Sequence, residues 1–502
     1  MVIAELGQDK GTTVSFLERY FHHVPEGKRK KSAIAVLAAL DHIHSVYPLV
    51  AERILQELRD QRSYLKLIAS ENFSSLAVQL AMGNWLTDKY SEGYPFHRFY
   101  AGCENVDVLE EACAAEAKKL FQCEHAYVQP HSGADANLLA FWAILVHRIQ
   151  NREVDRLGKK TLDELSPEEY ERVRELLVNQ KVLGMSLNSG GHLTHGYRHN
   201  ISAKMMHAVT YDVDRKTGLL DYAGLKQQAM KEKPLILLAG YSAYPRKINF
   251  AIMREIADSV GATLMVDMAH FAGLVAGKAM EGEWNPIPYA HIVTSTTHKT
   301  LRGPRGGLIL CTEEYRDVVN KGCPLVLGGP LPHVIAAKTI AFKEANAQEF
   351  QEYAHQVVDN ARALAEELKT YGVKVLTDGT DNHIVIFDAA TTFGLTGKQA
   401  ECALREARMT VNRNSIPFDV HRPWITSGVR LGTPAMTSLG MKEKEMKQIA
   451  GWIVAILKAT KSAPESQVKV TMDSQVLKQV QEDVAALLRA FPLYAELPVG
   501  VI

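Results

Sequence analysis

The sequence carries no excess of either charge. Lysine plus arginine and aspartate plus glutamate each number 57 among 502 residues. That balance lacks the footprint of a nucleic-acid binder or a basic membrane-surface protein, so neither is expected as a partner. No apolar run approaches the roughly 18 residues of a membrane span. The opening MVIAELGQDKGTT has no basic stretch followed by an apolar core and a small-residue cleavage site, so the expected location is the cytoplasm. Cysteine is sparse, with six residues at 103, 113, 123, 311, 323 and 402. None forms a CxxC pair, which argues against zinc or a redox dithiol and for reduced thiols. No metal is expected. Internal repeats and low-complexity tracts are missing too. What is present is a 46% hydrophobic fraction, ample for large buried cores. The length fits two to four domains.

Residues 1–60 read as helical, with apolar residues at helical spacing in Ala33–Leu40 and Val50–Leu58. LIASENF, residues 67–73, fits either a helix cap or a site segment. YSEGYPFHRFYAGCE, residues 90–104, is a Gly/Pro/aromatic loop, and a carboxylate among tyrosines suits acid–base work. Val106–Phe121 is an amphipathic helix. A strand at His125–Gln129 then runs into HSGADAN, residues 131–137, which opens a helix through Val146. A strand, a small-residue turn and a helix N-terminus make an anion cup sized for one phosphate monoester, or a plain connection. The polar stretch 150–180 is a surface insertion, with Ser166-Pro167-Glu168-Glu169 as a helix start.

Further strands are expected at Val182–Ser186, His207–Val213, Leu235–Ala239, Thr263–Asp267, His291–Thr296 and Gly307–Cys311. Several are near-continuous apolar runs between helical patterns, the mark of a mostly parallel sheet covered on both faces. Ligands bind such sheets at the carboxyl ends of the strands. Gly191, His192, Ser242, Asp267 and Lys299 all fall at or just past those ends, so they converge on one cleft. After the Gly/Pro loop 322–333, a long helix with a break spans Ile335–Thr370. Strands at Val373–Leu376, His383–Phe387, Thr410–Asn412 and Val429–Leu431 alternate with helices as a smaller α/β domain. The expected division is 1–104, a helical arm and dimer-contact segment; 105–345, the large domain; and 346–502, the small one.

VTSTTHKTLRGPRGG, residues 293–307, is the most informative stretch. Lys299 at a strand end suits a Schiff base with an aldehyde cofactor, whose amine must stay unprotonated among other cations. His298, Arg302 and Arg305 are candidates for that positive field. A solvated loop lysine fits the same spacing. Pyridoxal-phosphate chemistry needs such a lysine, a carboxylate for the pyridine nitrogen, a phosphate cup and a cation for the substrate carboxylate. Asp267, in LMVDMA, suits the carboxylate or a helix N-cap. His270 follows three residues on. His192, in GGHLTHG, suits ring stacking or a structural role. Arg430, in TSGVRLGTPA, suits a bidentate carboxylate or a structural ion pair.

Taken in order, LIASEN, the YSEGYP loop, QPHSG, GGHLTHG, VDMAH, THKT with GPRGG, and SGVRLGTPA resemble serine hydroxymethyltransferases, over residues 67–434. The resemblance implies an aspartate-aminotransferase-like dimer that moves the serine hydroxymethyl carbon to tetrahydrofolate through a quinonoid carbanion. The products are glycine and 5,10-methylenetetrahydrofolate. It implies pyridoxal phosphate covalently on Lys299, with Asp267 on the pyridinium, His192 on the ring, and Ser242 and His270 bonded to the cofactor. Ser132 and Gly133 hold the phosphate, completed by Tyr90, Gly328 and Gly329 of a second subunit. Ser70 and Arg430 bind the amino acid, Glu92 carries protons, and Tyr100 orients the substrate. Leu187, Gly191, Leu193 and Asn414 contact the pterin, and Thr296 and His298 tune the lysine.

Departures from the family pattern are Ala134-Asp135 where Ser-Gln is expected, Phe99 for a tyrosine, Leu327 for a glutamine, and Arg422-Pro423-Trp424 near the expected folate entrance. The first takes a hydroxyl donor from the phosphate cup and adds a carboxylate. Two other readings stand beside this one. A threonine aldolase or amino-acid racemase would use the same cleft without folate. A regulatory metabolite- or RNA-binding protein would not need Lys299, Asp267 and Arg430 together.

Overall fold

A computed structural model describes residues 15–464 and 466–498. By their contacts these fall into two units: the described residues up to Tyr64 with those from Ala485 onward, and Leu65–Val484. The first unit is built on helices Phe16–His23, Lys31–Val46 and Pro48–Ser63. Ser15 and Glu18 form a reciprocal capping box at the first. Tyr20, Leu37, Leu40, Ala51 and Leu55 bury together with Leu497. The helical reading of 1–60 therefore holds for residues 15–60; residues 1–14 lie outside the described residues.

The second unit is organised by a seven-stranded sheet. Its spatial order is His125–Tyr127, Gly307–Cys311, Ile292–Thr296, Thr263–Asp267, Ile236–Gly240, Lys181–Met185, His207–Tyr211. All pairings are parallel except the two made by Gly307–Cys311. In the four strands Ile236–Gly240, Thr263–Asp267, Ile292–Thr296 and Gly307–Cys311 every residue is buried. Alternate residues serve different cores: Leu237 and Ala239 enter one, Ile236 and Leu238 the other. A strand that fills a core on each face favours apolar residues at successive positions, which explains near-continuous apolar runs such as Ile236–Gly240; the polar residues of Thr263–Asp267 and Ile292–Thr296 gather toward the cleft or find partners such as Arg148 and Asn137. Helix residues Phe250 and Met253 pack in the first core, and Leu139 and Ala140 in the second.

The parallel register sets Gly240, Asp267 and Thr294 side by side. The loops that follow carry Ser242, His270 and Lys299 to one end of the sheet. Ser132 caps the helix Gly133–Leu145 by accepting the Asp135 N–H. In the polar stretch, helices Asn151–Arg156 and Pro167–Val178 form, the latter with a capping box from Ser166 and Glu169.

The smaller sheet has the order Ile384–Asp388, Gly428–Gly432, Asn412–Asn414. The strand expected at Val373–Leu376 does not form. Only Val375 bridges to Phe387, because the chain then turns through Thr377 and Asp378, both with positive φ, at +54° and +57°. The strand expected at Thr410–Asn412 is divided: Met409–Thr410 pairs instead with Leu65–Lys66, in parallel. That ladder and the bond from the Gly432 N–H to the Leu67 carbonyl bring the LIASEN segment beside the Arg430 strand.

The loop 90–104 contains a short hairpin, Gly93–Tyr94 with His97–Arg98. Arg98, its side chain 3% exposed, pairs with Asp107 and Glu110 at 2.8 Å each. It also donates to the carbonyls of Ser91 and Gly93, on either side of Glu92. One buried guanidinium thus fixes the loop. Arg98→Ala would leave two buried carboxylates without their cation and cost about 3–5 kcal/mol. Chemical denaturation checks this, and a loss below about 1 kcal/mol would count against the clamp.

Candidate active site

A cavity of about 470 Å³ lies at the carboxyl ends of the central strands. Lys299, Asp267, His192, Ser242 and His270 line it, as do Ser70, Arg430, Thr296 and His298. Ser132 and Gly133 form its wall at the start of the helix. These sequence-predicted residues come from seven separated segments, and the sheet register assembles most of them at one end of the sheet.

The Lys299 amine donates to Thr296 Oγ1 at 2.9 Å. Burial lowers its pKa to about 8; Asp267 opposes the shift, and Arg305 and Arg430 reinforce it. The backbone beside it is fixed by Asn72 of LIASEN, which donates to the Lys299 carbonyl at 2.9 Å. The positive field differs from the one expected. His298 is held neutral by burial and by the neighbouring Lys299 and Arg305, with its pKa down to about 3. Arg302 points away and lies over the Tyr353 ring at 4.6 Å. Of the three expected cations only Arg305 lines the cavity as a charge.

Asp267 is 7% exposed. Burial alone would raise its pKa, but His195, His192 and Asn137 outweigh burial and hold it below the usual carboxylate range. His195 Nε2 lies 3.1 Å from Oδ2, and Asn137 Nδ2 donates to the same oxygen at 2.9 Å. Oδ1 accepts the Ala269 N–H, so one carboxylate oxygen carries most of the polar contacts. Asn137 and His195 lie in the HSGADAN and GGHLTHG motifs, and the sequence reading gives them no role. The signal was there: Asn137 is a lone amide on the otherwise apolar face of its helix. His192 Nδ1 is 2.8 Å from Thr194 Oγ1, and burial lowers the pKa of the imidazole to about 4. His270 lies 3.4 Å from His383, and both are kept neutral by burial.

Arg430 is held by Asn412 Oδ1 at 3.0 Å and the Ser242 carbonyl at 2.5 Å. Burial lowers its pKa to about 10, and among the described residues no carboxylate pairs with it. A half-buried guanidinium open to the cavity is a receptor for a carboxylate ligand. At the helix start, the Ser132 hydroxyl donates to Asp135 Oδ2 at 2.8 Å. The departure at residue 135 therefore bears directly on the anion cup.

Other expected residues stand outside this cavity. Tyr90, Glu92 and Tyr100 cluster with one another: the Tyr100 hydroxyl is 3.2 Å from Glu92, and the two tyrosine rings meet edge-on at 5.1 Å. Gly329 lies against the Tyr90 ring, and its carbonyl contacts His131; Gly328 precedes it at φ +70°. Tyr90 and Phe99 are largely exposed. Leu187 and Leu193 are exposed, Gly191 is buried and Asn414 is half-buried; none lines the cavity.

A lysine of lowered basicity, a buried carboxylate on a neighbouring strand, a helix N-terminus and an unpaired, half-buried arginine share one cleft. That donor set fits a phosphorylated pyridine aldehyde condensed with an amino acid, and defines a pyridoxal-phosphate-type site. The serine hydroxymethyltransferase family profile matches residues 43–154 and 170–453, passing over 155–169. The chain is 58% identical over 469 residues to a serine hydroxymethyltransferase of Treponema pallidum, covering 92% of this chain and 82% of that protein. It is 52% identical over 490 residues to one from Chlamydia trachomatis serovar D, covering 96% and 98%. With one from Mycolicibacterium smegmatis the figures are 55% over 463 residues, 92% and 94%. The chain belongs to the serine hydroxymethyltransferase family, whose members depend on pyridoxal phosphate and use tetrahydrofolate as co-substrate.

The lowered basicity of Lys299 has a measurable consequence. The unprotonated amine is the nucleophile, so its reaction with an aldehyde in the cofactor-free chain rises with pH and levels off above about 8. Reductive trapping of the aldehyde as a function of pH checks this. A rate still climbing toward the ordinary lysine value of about 10.4 would contradict it.

Proposed function

We propose that the chain reversibly transfers the hydroxymethyl carbon of L-serine to tetrahydrofolate, giving glycine and 5,10-methylenetetrahydrofolate. The observation that carries this reading is the shared cavity of Lys299, Asp267 and the carboxylate-free Arg430, in a chain of this family. Pyridoxal phosphate, when bound, supplies an electron sink for bonds broken at the amino-acid α-carbon. The Lys299 amine would hold it covalently through the aldehyde carbon. Asp267, kept ionised by His195 and Asn137, holds a proton on the pyridine nitrogen. His192 would lie against the ring, and Ser242 and His270 would hydrogen-bond to the cofactor. Ser132 and Gly133 bind the phosphate, for which the Ser132 hydroxyl must turn from Asp135. Arg430 and Ser70 bind the substrate carboxylate and orient the amino acid. Thr296 and His298 tune the lysine.

Glu92 moves the proton at the substrate hydroxyl and Tyr100 orients the substrate, both delivered from a second copy of the chain. Tyr90, Gly328 and Gly329 complete the phosphate site from that copy. Their joint position outside the cavity, with exposed aromatic faces, supports a shared site in a homodimer. Leu187, Gly191, Leu193 and Asn414 contact the pterin. We further propose a cofactor-binding domain over 105–345, a small domain over 346–502, an arm over 1–104, and a surface insertion at 150–180. The protein acts in the cytoplasm in glycine biosynthesis and one-carbon metabolism, with minor aldolase or racemase side reactions.

An assay of serine cleavage with and without tetrahydrofolate tests both the reaction and the shared site. The chain should release glycine from serine at a useful rate only with the folate. Lys299→Ala and Glu92→Gln should each be inactive, and subunit exchange between them should restore roughly a quarter of the activity. Folate-independent turnover would favour the aldolase or racemase reading. An exchanged mixture without activity would place Glu92 and Lys299 in the same subunit's site.

A further inference from the structure

The helix Pro332–Ala345 carries a lysine that the functional reading does not use. Lys338 is 1% exposed and sits on an apolar helix face beside the buried Ala337, Ala341 and Phe342. A buried ammonium needs every donor satisfied. It donates to the carbonyls of Val128 at 2.6 Å, Pro130 at 3.0 Å and Gly307 at 2.9 Å. The first two carbonyls belong to the segment that ends two residues before Ser132. The third belongs to the glycine pair that closes the Lys299 loop. One charged group therefore ties the phosphate turn to the lysine loop, the two places that would hold the phosphate and the aldehyde of the cofactor.

Both glycines sit close against their neighbours: Gly306 against the Lys338 side chain, Gly307 against the Ser132 backbone. A methyl at Gly306 would lie 2.5 Å from Lys338 Cε. A methyl at Gly307 would lie 2.2 Å from the Ser132 carbonyl oxygen. The Gly307 N–H also donates to the Pro130 carbonyl, so Lys338 and Gly307 share one acceptor. The final glycines of GPRGG thus fit the loop around an ammonium and against the phosphate turn. Glu110 is the one carboxylate that acts on Lys338, and it is itself engaged by Arg98 and Gln129.

We propose that Lys338 is a positioning residue for the phosphate end of the cofactor. It fixes the separation of the Ser132–Gly133 turn from the Lys299 loop and adds a positive charge behind the turn. The inference rests on the reading of Lys299 and Ser132–Gly133 as the aldehyde- and phosphate-holding groups of a pyridoxal-phosphate site. It predicts a selective defect. Pyridoxal, which lacks the phosphate, reaches Lys299 without the turn; pyridoxal phosphate uses both.

The test is equilibrium binding of pyridoxal phosphate and of pyridoxal to the cofactor-free full chain, Lys338→Met and Gly306→Ala, followed by visible absorbance. Gly306→Ala keeps the charge and pushes the ammonium aside, so it decides the matter if Lys338→Met does not fold. The expected result is a preference for the phosphorylated ligand that shrinks by about tenfold or more in either folded variant, with pyridoxal affinity changed less than about twofold. Equal loss of both ligands, or no loss of either, would overturn the positioning role. A wild-type chain that binds pyridoxal but shows no preference for its phosphate would overturn the phosphate-turn assignment. A wild-type chain that binds neither would overturn the cofactor reading itself, and with it the proposal.

Discussion

The desolvation of Lys299 is the constraint on which the rest of this structure depends. A lysine in water is protonated at neutral pH and inert toward carbonyls. Taking it into the cleft lowers its basicity to about 8, the range in which a reactive amine is available. That burial needs a floor of apolar strands, a local acceptor at Thr296, and cations nearby that do not neutralise the amine. The sheet supplies the floor, and Arg305 and Arg430 supply the cations. Asp267 pulls the other way across the same cavity. Its own ionisation is maintained by His195 and Asn137 rather than by the lysine. Asp267 thus stays ionised without a direct ion pair to the amine, while its charge partly offsets the effect of burial on Lys299.

The same logic governs the substrate end. Arg430 is half-buried, hydrogen-bonded on part of its fork and, among the described residues, left without a carboxylate. Removing one partner of a buried pair is costly, so a site holding the cation alone has a strong affinity for a carboxylate ligand. The packing around it is close: a methyl at Gly432 would come 2.3 Å from Ala69 Cα, which places Ser70 beside the Arg430 strand. The short ladder between Leu65–Lys66 and Met409–Thr410 makes that approach possible. Two segments some 360 residues apart, carrying Ser70 and Arg430, are thus laid together by a two-residue strand pairing.

Much of this was legible in the sequence, for identifiable reasons. Strands buried on both faces are mostly apolar, so several strands of the central sheet, such as Ile236–Gly240, stood out as runs, and the residues at their ends marked the cleft. The lysine motif and LIASEN carried the family resemblance. Other features were not legible. Val373–Leu376 has strand composition, yet positive φ at Thr377 and Asp378 ends it as a single bridge. Arg302 and His298 are neighbours of the lysine along the chain, but one turns onto Tyr353 and the other loses its charge to burial. Sequence proximity does not give side-chain direction or protonation. Asn137, His195 and Lys338 support functional groups through contacts 130, 72 and 208 to 210 residues away, or 31 for the Gly307 carbonyl. Long-range partners of that kind leave only a faint trace, a polar residue inside an apolar pattern.

The central claim is that Lys299, of all the lysines in the chain, is the one poised to hold the cofactor. The direct measurement is borohydride reduction of the chain loaded with pyridoxal phosphate, followed by peptide mapping by mass spectrometry. The account predicts one stoichiometric pyridoxyl label, on the peptide containing Thr296, His298 and Lys299. A label spread over surface lysines, or found at a single other lysine, would contradict it.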